Sequence, residues 1–135
     1  MAESTNNLTL VVNQQDASGV NVISRTIGPI SYAGAVGDWF KGLLTTTGAT
    51  AFTLPTANAL QVYIKNTHTG AVLTVIGTPQ SGASATLCKL YPSGGTFVYW
   101  ATTVTGTTGT SGAGFTALSL TSDTLNATFE AFIGG

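Results

Sequence analysis

The chain has 135 residues, a formal net charge of −1 and only 7% charged residues. Its length predicts one domain that can bury enough surface to fold without a disulfide or a metal. The charged fraction lies far below the usual ~25%, and 25 threonines, 17 glycines, 16 alanines and 10 serines take its place. Four basic residues are too few to neutralise a run of phosphates, which argues against a dedicated binder of nucleic acid or of anionic membranes.

Cysteine content and the beginning of the sequence indicate the compartment. Cys88 is the only cysteine, so an intrachain disulfide and a multi-cysteine metal site are excluded. The first seven residues, MAESTNN, lack the basic and apolar regions of a secretory signal, and no apolar run approaches the ~18 residues of a membrane span. We therefore expect a protein that is made in a cytoplasm and stays soluble or is built into a particle there.

Intrinsic propensity favours β-structure along the whole chain, because Thr, Val, Ile, Tyr and Phe suit a pleated, half-buried surface. Apolar and polar residues alternate in several segments, as where Val62 and Ile64 share one strand face. A second segment places four apolar residues on one face: Leu125, Ala127, Phe129 and Ala131. The predicted strands are 8–13, 20–24, 26–32, 42–46, 51–54, 60–66, 72–76, 85–91, 96–102, 114–120 and 124–133.

Short strands separated by turn residues about every ten positions predict an all-β fold, an antiparallel β-sandwich of which the jelly roll is one arrangement. Residues 1–7 are expected to form a flexible N-terminal arm. Residues 8–135 are expected to form a single sandwich domain, with a long Thr/Gly-rich loop at 105–114. Helix is expected at most as one turn within 34–44, with Asp38 as its N-cap and Gly42 weakening it.

Two turns and one side-chain direction are also predicted. Residues 66–70 join two strands as a five-residue hairpin loop, and residues 92–95 form a turn that Pro92 begins and glycines complete. In the strand 85–91, Thr86, Cys88 and Leu90 share the face opposite Leu87 and Lys89. Because Lys89 needs solvent, Cys88 is predicted to point inward.

Catalysis needs titratable groups that converge, and here they are few and scattered. They are Glu3, Asp16, Asp38, Asp123, Glu130, His68, Cys88, Arg25 and three lysines. A nucleophilic triad would need His68, which lies at a predicted loop tip, and no serine lies in a G-x-S-x-G elbow. One His and one Cys in separate segments give no metal-ligand spacing, and nothing brings Asp38 and Asp123 together. We predict no catalytic, cofactor-binding or metal site, and a protein that is not an enzyme.

Residues 112–117 match the G-x-G-x-x-A form of a dinucleotide-binding loop. Such a loop must follow a strand and open a helix within a βαβ unit. Here the string precedes a β-type run, so we interpret the match as chance.

The aromatic residues Trp39-Phe40 and 97–100 could stack on a sugar. Strand alternation sends Phe97 and Tyr99 to one face and Val98 and Trp100 to the other, so at least one pair should be core. Core packing, a subunit interface and ligand contact all remain open for these side chains.

Residues 50–135 carry an ordered set of strand and turn motifs: FTLPT at 52–56, VYIKN at 62–66, LTV at 73–75, LYP at 90–92, Gly94-Gly95, and Trp100 closing an aromatic strand. This order resembles the small β-sandwich modules of tailed-bacteriophage virion proteins, found in head-decoration, head-fibre and tail-fibre components. The closing strand 127–133 is also similar to the terminal strand of such proteins. The resemblance implies a β-sandwich without a catalytic signature, and the Thr/Gly-rich loop after Trp100 departs from the pattern.

Composition and resemblance lead to one hypothesis, a non-enzymatic virion structural protein that decorates or cements a phage capsid as a symmetric oligomer. Subunit contacts with few long charged side chains carry little desolvation cost and lose little side-chain entropy. The expected partners are further copies of the chain, as a trimer by analogy, and the major capsid protein or other virion proteins. No nucleic acid, membrane or cofactor is expected. The alternatives are a tail-fibre or receptor-binding module and a free carbohydrate-binding domain that takes a glycan.

Overall fold

The computed structural model describes residues 4–35, 37–54, 57–80, 82–101 and 114–135. These ranges contain ten β-strands and no helix, which confirms the all-β prediction. The strands are β1 (Ser4–Gln15), β2 (Asn21–Ala35), β3 (Gly37–Leu44), β4 (Thr50–Ala51), β5 (Gln61–Asn66), β6 (Leu73–Pro79), β7 (Ala85–Leu90), β8 (Thr96–Trp100), β9 (Phe115–Ser122) and β10 (Ala127–Gly134).

Eight of these strands form two four-stranded antiparallel sheets that share one core. The first sheet has the order β3-β10-β5-β8 and the second has the order β4-β9-β6-β7. The earliest strand of each sheet therefore pairs with one of the last two strands of the chain, as in the double Greek key of a jelly roll. The predicted sandwich is confirmed, and its topology is that of a jelly roll.

The core lies between the two sheets and takes alternate residues from their strands. Val62 and Ile64 of β5 face Leu73 and Val75 of β6 across it, all of them fully buried. The predicted inward faces of β5 and β10 are confirmed at Val62, Ile64 and the alternate residues from Ala127 onward. Leu125 is the exception, because it lies in the turn before β10 and is exposed.

Strands β1 and β2 form a separate two-stranded antiparallel sheet, an N-terminal hairpin that, among the described residues, pairs with neither sheet of the sandwich. One continuous β2 replaces the two strands predicted at 20–24 and 26–32. The residues 4–7, expected in a flexible arm, lie in β1. The Asp16 carboxylate closes the turn by accepting hydrogen bonds from the backbone N–H groups of Ser18 and Val20 at 2.8 and 3.0 Å.

The helical turn expected within 34–44 is wrong, because residues 37–44 form β3 along β10. Pairing with β10 satisfies the backbone hydrogen-bonding groups of this segment. That tertiary contact outweighs the weak helix-capping pattern of the sequence. The predicted strand 51–54 is also shorter than expected, since β4 comprises only Thr50–Ala51. The turn at 92–95 is confirmed, with Ser93 and Gly94 at φ of 62° and 125°.

Residues 66–70 do not form a hairpin loop, because they connect β5 of the first sheet to β6 of the second. A sequence pattern cannot distinguish a turn within one sheet from a crossing between two. The predicted loop at 105–114 lies outside the described residues apart from Gly114.

Cys88 is half-buried and packs against the core opposite Val75, as predicted. The predicted opposite direction of Leu87 is wrong. A register shift after the Val75–Cys88 pair places an extra residue in β7, so Leu87 also packs against the core.

Candidate functional site

The outer face of the first sheet carries a cluster of large side chains. Phe132 of β10 lies opposite Trp39 of β3 and Tyr63 of β5 in the strand register. The Phe132 ring centroid lies 5.2 Å from that of Trp39 and 5.8 Å from that of Trp100, with the Trp100 ring stacked on it. Alternation along the four strands thus gathers aromatic side chains that are distant in sequence.

The base of the N-terminal hairpin borders this cluster and makes it a groove. Residues 5–10 of β1 form one wall, and the other is formed by Trp39, Tyr63, Val98, Trp100 and Phe132. We call this space, of about 550 Å³, the aromatic groove. Phe132 is only 7% exposed although it points away from the core, whereas Trp39 at the rim is 66% exposed.

A short hydrogen-bonded chain holds the hairpin base to the sandwich. The Asn6 Nδ2 donates to Gln61 Oε1 at 3.3 Å, and Gln61 Nε2 donates to the Ala101 carbonyl at 2.7 Å. Gln61 is fully buried, so these bonds satisfy a polar group that would otherwise be costly to bury. The buried Trp100 Nε1 has no acceptor among the described residues.

Tyr63 is the titratable group that lines the aromatic groove. Its hydroxyl donates to Glu130 Oε1 at 2.9 Å. Burial, together with this hydrogen bond and the negative charge of Glu130, raises the pKa of Tyr63 above its usual value. Tyr63 therefore stays protonated at neutral pH and can serve as a hydrogen-bond donor and a stacking surface, but not as a base.

The N-terminal hairpin presents one apolar and one mostly polar face to its surroundings. The strand register puts six apolar residues on the same side. We call this side the apolar face; its members are Leu8, Leu10, Val12, Ile23, Ile27 and Ile30. The opposite side has cross-strand hydrogen bonds from Ser24 Oγ to Asn13 Oδ1 and from Ser31 Oγ to Asn7 Oδ1, both of 2.6 Å.

A second cleft, of about 520 Å³, lies between the two sheets beside the short strand β4. Three phenyl rings line it and contact one another, those of Phe40, Phe52 and Phe129, with centroids 5.5 to 6.2 Å apart. Asp38 supplies a single carboxylate at this cleft. The lining can accommodate an apolar group and offers no nucleophile paired with a base.

His68, the residue that any triad would have needed, has a structural role. Its Nδ1 accepts hydrogen bonds from the backbone N–H groups of Gly70 and Ala71 at 3.0 and 2.9 Å. Its own N–H donates to Asn66 Oδ1 at 3.0 Å. His68 therefore fixes the crossing between the sheets.

The predicted carboxylate candidates are also separated. Asp123 Oδ1 accepts a hydrogen bond from the Val72 N–H at 2.9 Å and so caps a loop, while Asp38 lies at the inter-sheet cleft. No group of three or more His, Cys, Asp or Glu side chains that could hold a metal occurs among the described residues. In the part of the chain that the structure describes, no helix is long and apolar enough to cross a membrane.

The dinucleotide-like string at 112–117 leads into β9, a strand, and not into a helix. Gly112 and Ala113 lie outside the described residues. A strand in place of a helix after this string agrees with the interpretation of the match as chance.

The aromatic residues divide between core and groove. Phe40, Phe97 and Tyr99 pack against the core, while Trp39 and Trp100 point to the aromatic groove. Sequence reasoning missed Tyr63 and Phe132 as groove residues because only the strand register brings them beside the tryptophans. It also missed the apolar face, whose β1 members Leu8, Leu10 and Val12 lie at every second position of the sequence.

No protein-family model matches the chain, and no curated protein or solved structure matches it either.

Proposed function

We propose that the chain is a non-enzymatic structural protein of a tailed-bacteriophage particle, a capsid decoration or cement protein that works as a symmetric oligomer. The observation that carries the proposal is the apolar face of the N-terminal hairpin, which is solvent-exposed in the single chain. Exposed apolar patches of several hundred Å² on otherwise soluble proteins mark interaction surfaces. Such a surface is what a protein needs when its task is to hold neighbouring subunits together.

The composition of the sandwich supports the same assignment. Jelly rolls are used by viral capsid and lectin domains, and a surface with so few charges is easily covered by another subunit. At a net charge of −1, little electrostatic repulsion keeps copies apart. Asp16, His68 and Asp123 accept hydrogen bonds from backbone N–H groups of turns and loops, which is a structural role.

The proposal is tested by attachment to particles. Fluorescently labelled full-length chain is incubated with undecorated phage capsids and sedimented at low and at high salt, and light scattering gives the mass of the free protein. We expect a homo-oligomer, with a trimer favoured by analogy, and saturable co-sedimentation that changes little with salt because few ion pairs can be screened. A strictly monomeric protein that attaches to no particle would contradict the proposal, as would attachment that disappears at moderate salt.

The aromatic groove favours a second candidate, a carbohydrate-binding domain, either free or as part of a tail fibre. Trp39 and Tyr63, with ring centroids 5.4 Å apart, offer faces on which a sugar could stack. A glycan array probed with the full chain tests this candidate. Trp39→Ala should abolish any signal while Tyr91→Ala, an equally exposed aromatic at 65% outside the groove, should retain it.

A further inference from the structure

We propose that the apolar face of the N-terminal hairpin docks onto the aromatic groove of a second copy of this chain. The inference rests on the proposed function and names the surfaces through which that oligomer would form. The hairpin is the donor and the groove is the acceptor, so each copy offers both halves of the contact.

The apolar face of the hairpin needs a cover. A two-stranded hairpin by itself is marginally stable in water and gains stability when its apolar side packs on another layer. Beyond its base, the apolar face is left uncovered by the described part of its own chain, with Val12 59% and Ile23 54% exposed. The other face carries cross-strand side-chain hydrogen bonds and is mostly polar, with Val11 and Val22 as its exposed apolar residues. This is close to the pattern of a sheet with one buried and one solvated side.

The same side of β1 already lies on the aromatic groove within one chain. Asn6 and Leu8 share the side of β1 that continues as Leu10 and Val12. At the base, Asn6 bonds to Gln61 beside the groove and both Asn6 and Leu8 are half-buried. The groove therefore contacts the first residues on this side of β1. The rest of the apolar face extends beyond the groove and is exposed to solvent.

The size and the charge of the two surfaces also suit this contact. Half-exposed aliphatic side chains on the apolar face offer on the order of several hundred Å², a substantial part of the ~800 Å² that each partner contributes to a standard interface. In the strand register Leu10 pairs with Ile27, Val12 with Arg25 and Gln14 with Ile23. Of these six residues only Arg25 is charged. The groove keeps room of about 550 Å³ beside the exposed Trp39 ring. No charged side chain lines the groove among the described residues, so Arg25 meets no like charge there.

Matched variants of the full chain test the donor. Val12→Asn combined with Ile23→Asn changes the apolar face. Val11→Asn combined with Val22→Asn changes neighbouring residues that are just as exposed, at 58% and 63%, but point to the opposite side. We expect light scattering to show the first variant as a monomer, with an association constant at least tenfold below that of the unmodified chain. The second variant should remain an oligomer. Circular dichroism and thermal unfolding verify that both remain folded, as expected for exposed positions.

The acceptor is tested by Trp39→Ala with Tyr91→Ala as its control, and then by mixing. Each of the two defective variants, Val12→Asn/Ile23→Asn and Trp39→Ala, should be monomeric alone. Mixed together they should form a heterodimer, because one supplies an intact groove and the other an intact hairpin. If hairpins pack on one another instead, Trp39→Ala alone should remain oligomeric, and that result would overturn the groove as acceptor. A mixture that stays monomeric would overturn it too.

The remaining outcomes separate the inference from the proposed function. If the donor variant stays oligomeric, or if its control dissociates equally, the inference is wrong while the oligomer and its attachment to capsids still stand. If the unmodified chain is monomeric at all concentrations and attaches to no particle, both are wrong.

Discussion

At the scale of single residues, the side chains with the strongest constraints are buried polar groups that join loops to strands. Asn66 is fully buried at the end of β5. Its Nδ2 donates to the carbonyls of Ala71 and Leu90 at 2.7 and 2.8 Å, and its Oδ1 accepts from the His68 N–H. One amide thus ties together the crossing between the sheets and the end of β7.

We predict that Asn66→Ala lowers the free energy of unfolding by about 2–4 kcal/mol, because it leaves buried carbonyl groups without a donor. Urea unfolding followed by circular dichroism measures the change. Asn21→Ala is the control, since Asn21 is exposed and accepts one surface hydrogen bond from Gln15; its effect should stay below about 0.5 kcal/mol. Equal effects of the two substitutions would contradict this assignment.

Cys88 gives a prediction about reactivity. Burial raises the pKa of the Cys88 thiol above its usual value, and the thiolate is the reactive form. We expect labelling of the native protein by a thiol reagent at neutral pH to be at least about tenfold slower than in denaturant. Labelling at the same rate in both conditions would show that Cys88 is not packed against the core.

The same raised pKa predicts how stability depends on pH. The native state holds the thiol proton more tightly than the unfolded chain does. This contribution is therefore present in full below the unfolded-state pKa and is lost as pH rises through the folded-state pKa. The free energy of unfolding should fall above about pH 8.5, and it should fall less steeply in Cys88→Ala. Parallel pH curves for the two proteins would be the contrary result.

At the scale of elements, β3 shows how a strand is shaped by the ring it faces. Gly42 lies opposite Phe129 of β10 in the register. A Cβ at Gly42 would overlap the Phe129 ring, which the rings of Phe40 and Phe52 also contact at centroid distances of 6.2 and 5.7 Å. Gly42, expected from the sequence to weaken a helical turn, is instead the residue that lets an aromatic side chain fill the core.

We predict that Gly42→Ala destabilises the fold by about 1–3 kcal/mol through overpacking against Phe129. Gly48→Ala is its control, because the nearest atom to a Cβ there is Thr46 Oγ1 at 3.5 Å, an ordinary contact. Thermal unfolding of both variants measures the difference. If Gly42→Ala is as stable as Gly48→Ala, Phe129 can move aside and the ring does not fix the strand.

At the scale of the whole molecule, the eight-stranded sandwich and the hairpin are structurally separable. In the part of the chain that the structure describes, all strand pairing of the sandwich lies within residues 37–134, and the strands of the hairpin pair with each other. The hairpin meets the sandwich at the aromatic groove through a few residues of its base. We infer that the sandwich holds the fold and that the hairpin is available for contacts with other molecules.

We predict that a chain starting at Gly37 still folds, with β-type circular dichroism and cooperative unfolding, and no longer self-associates. Its melting temperature should drop modestly, because removal of the hairpin base uncovers Phe132 and Trp100. Calorimetry and light scattering measure the two effects. A truncated chain without a cooperative transition would show that the hairpin is part of the folding unit.

Much of this architecture follows from local patterns in the sequence. Thr, Val and Ile enrichment, alternation in β5 and β10, and the turn at 92–95 determine that the chain is all-β and where several strands lie. The two-residue period of a strand predicts that Phe97 and Tyr99 share a face, and the structure shows that this face packs against the core. Scarce titratable groups likewise limit the chemistry that the chain can offer, whatever its fold.

Other features were decided only by tertiary structure, because they depend on which strands become neighbours. Register places Phe132 between Trp39 and Tyr63 and so creates the aromatic groove. One extra residue in β7 turns Leu87 inward, and pairing with β10 makes a strand of the segment predicted to hold a helical turn. The separation of the hairpin from the sandwich is also a tertiary result: its strands have the same alternation as the others, and only the choice of partner leaves their apolar face uncovered.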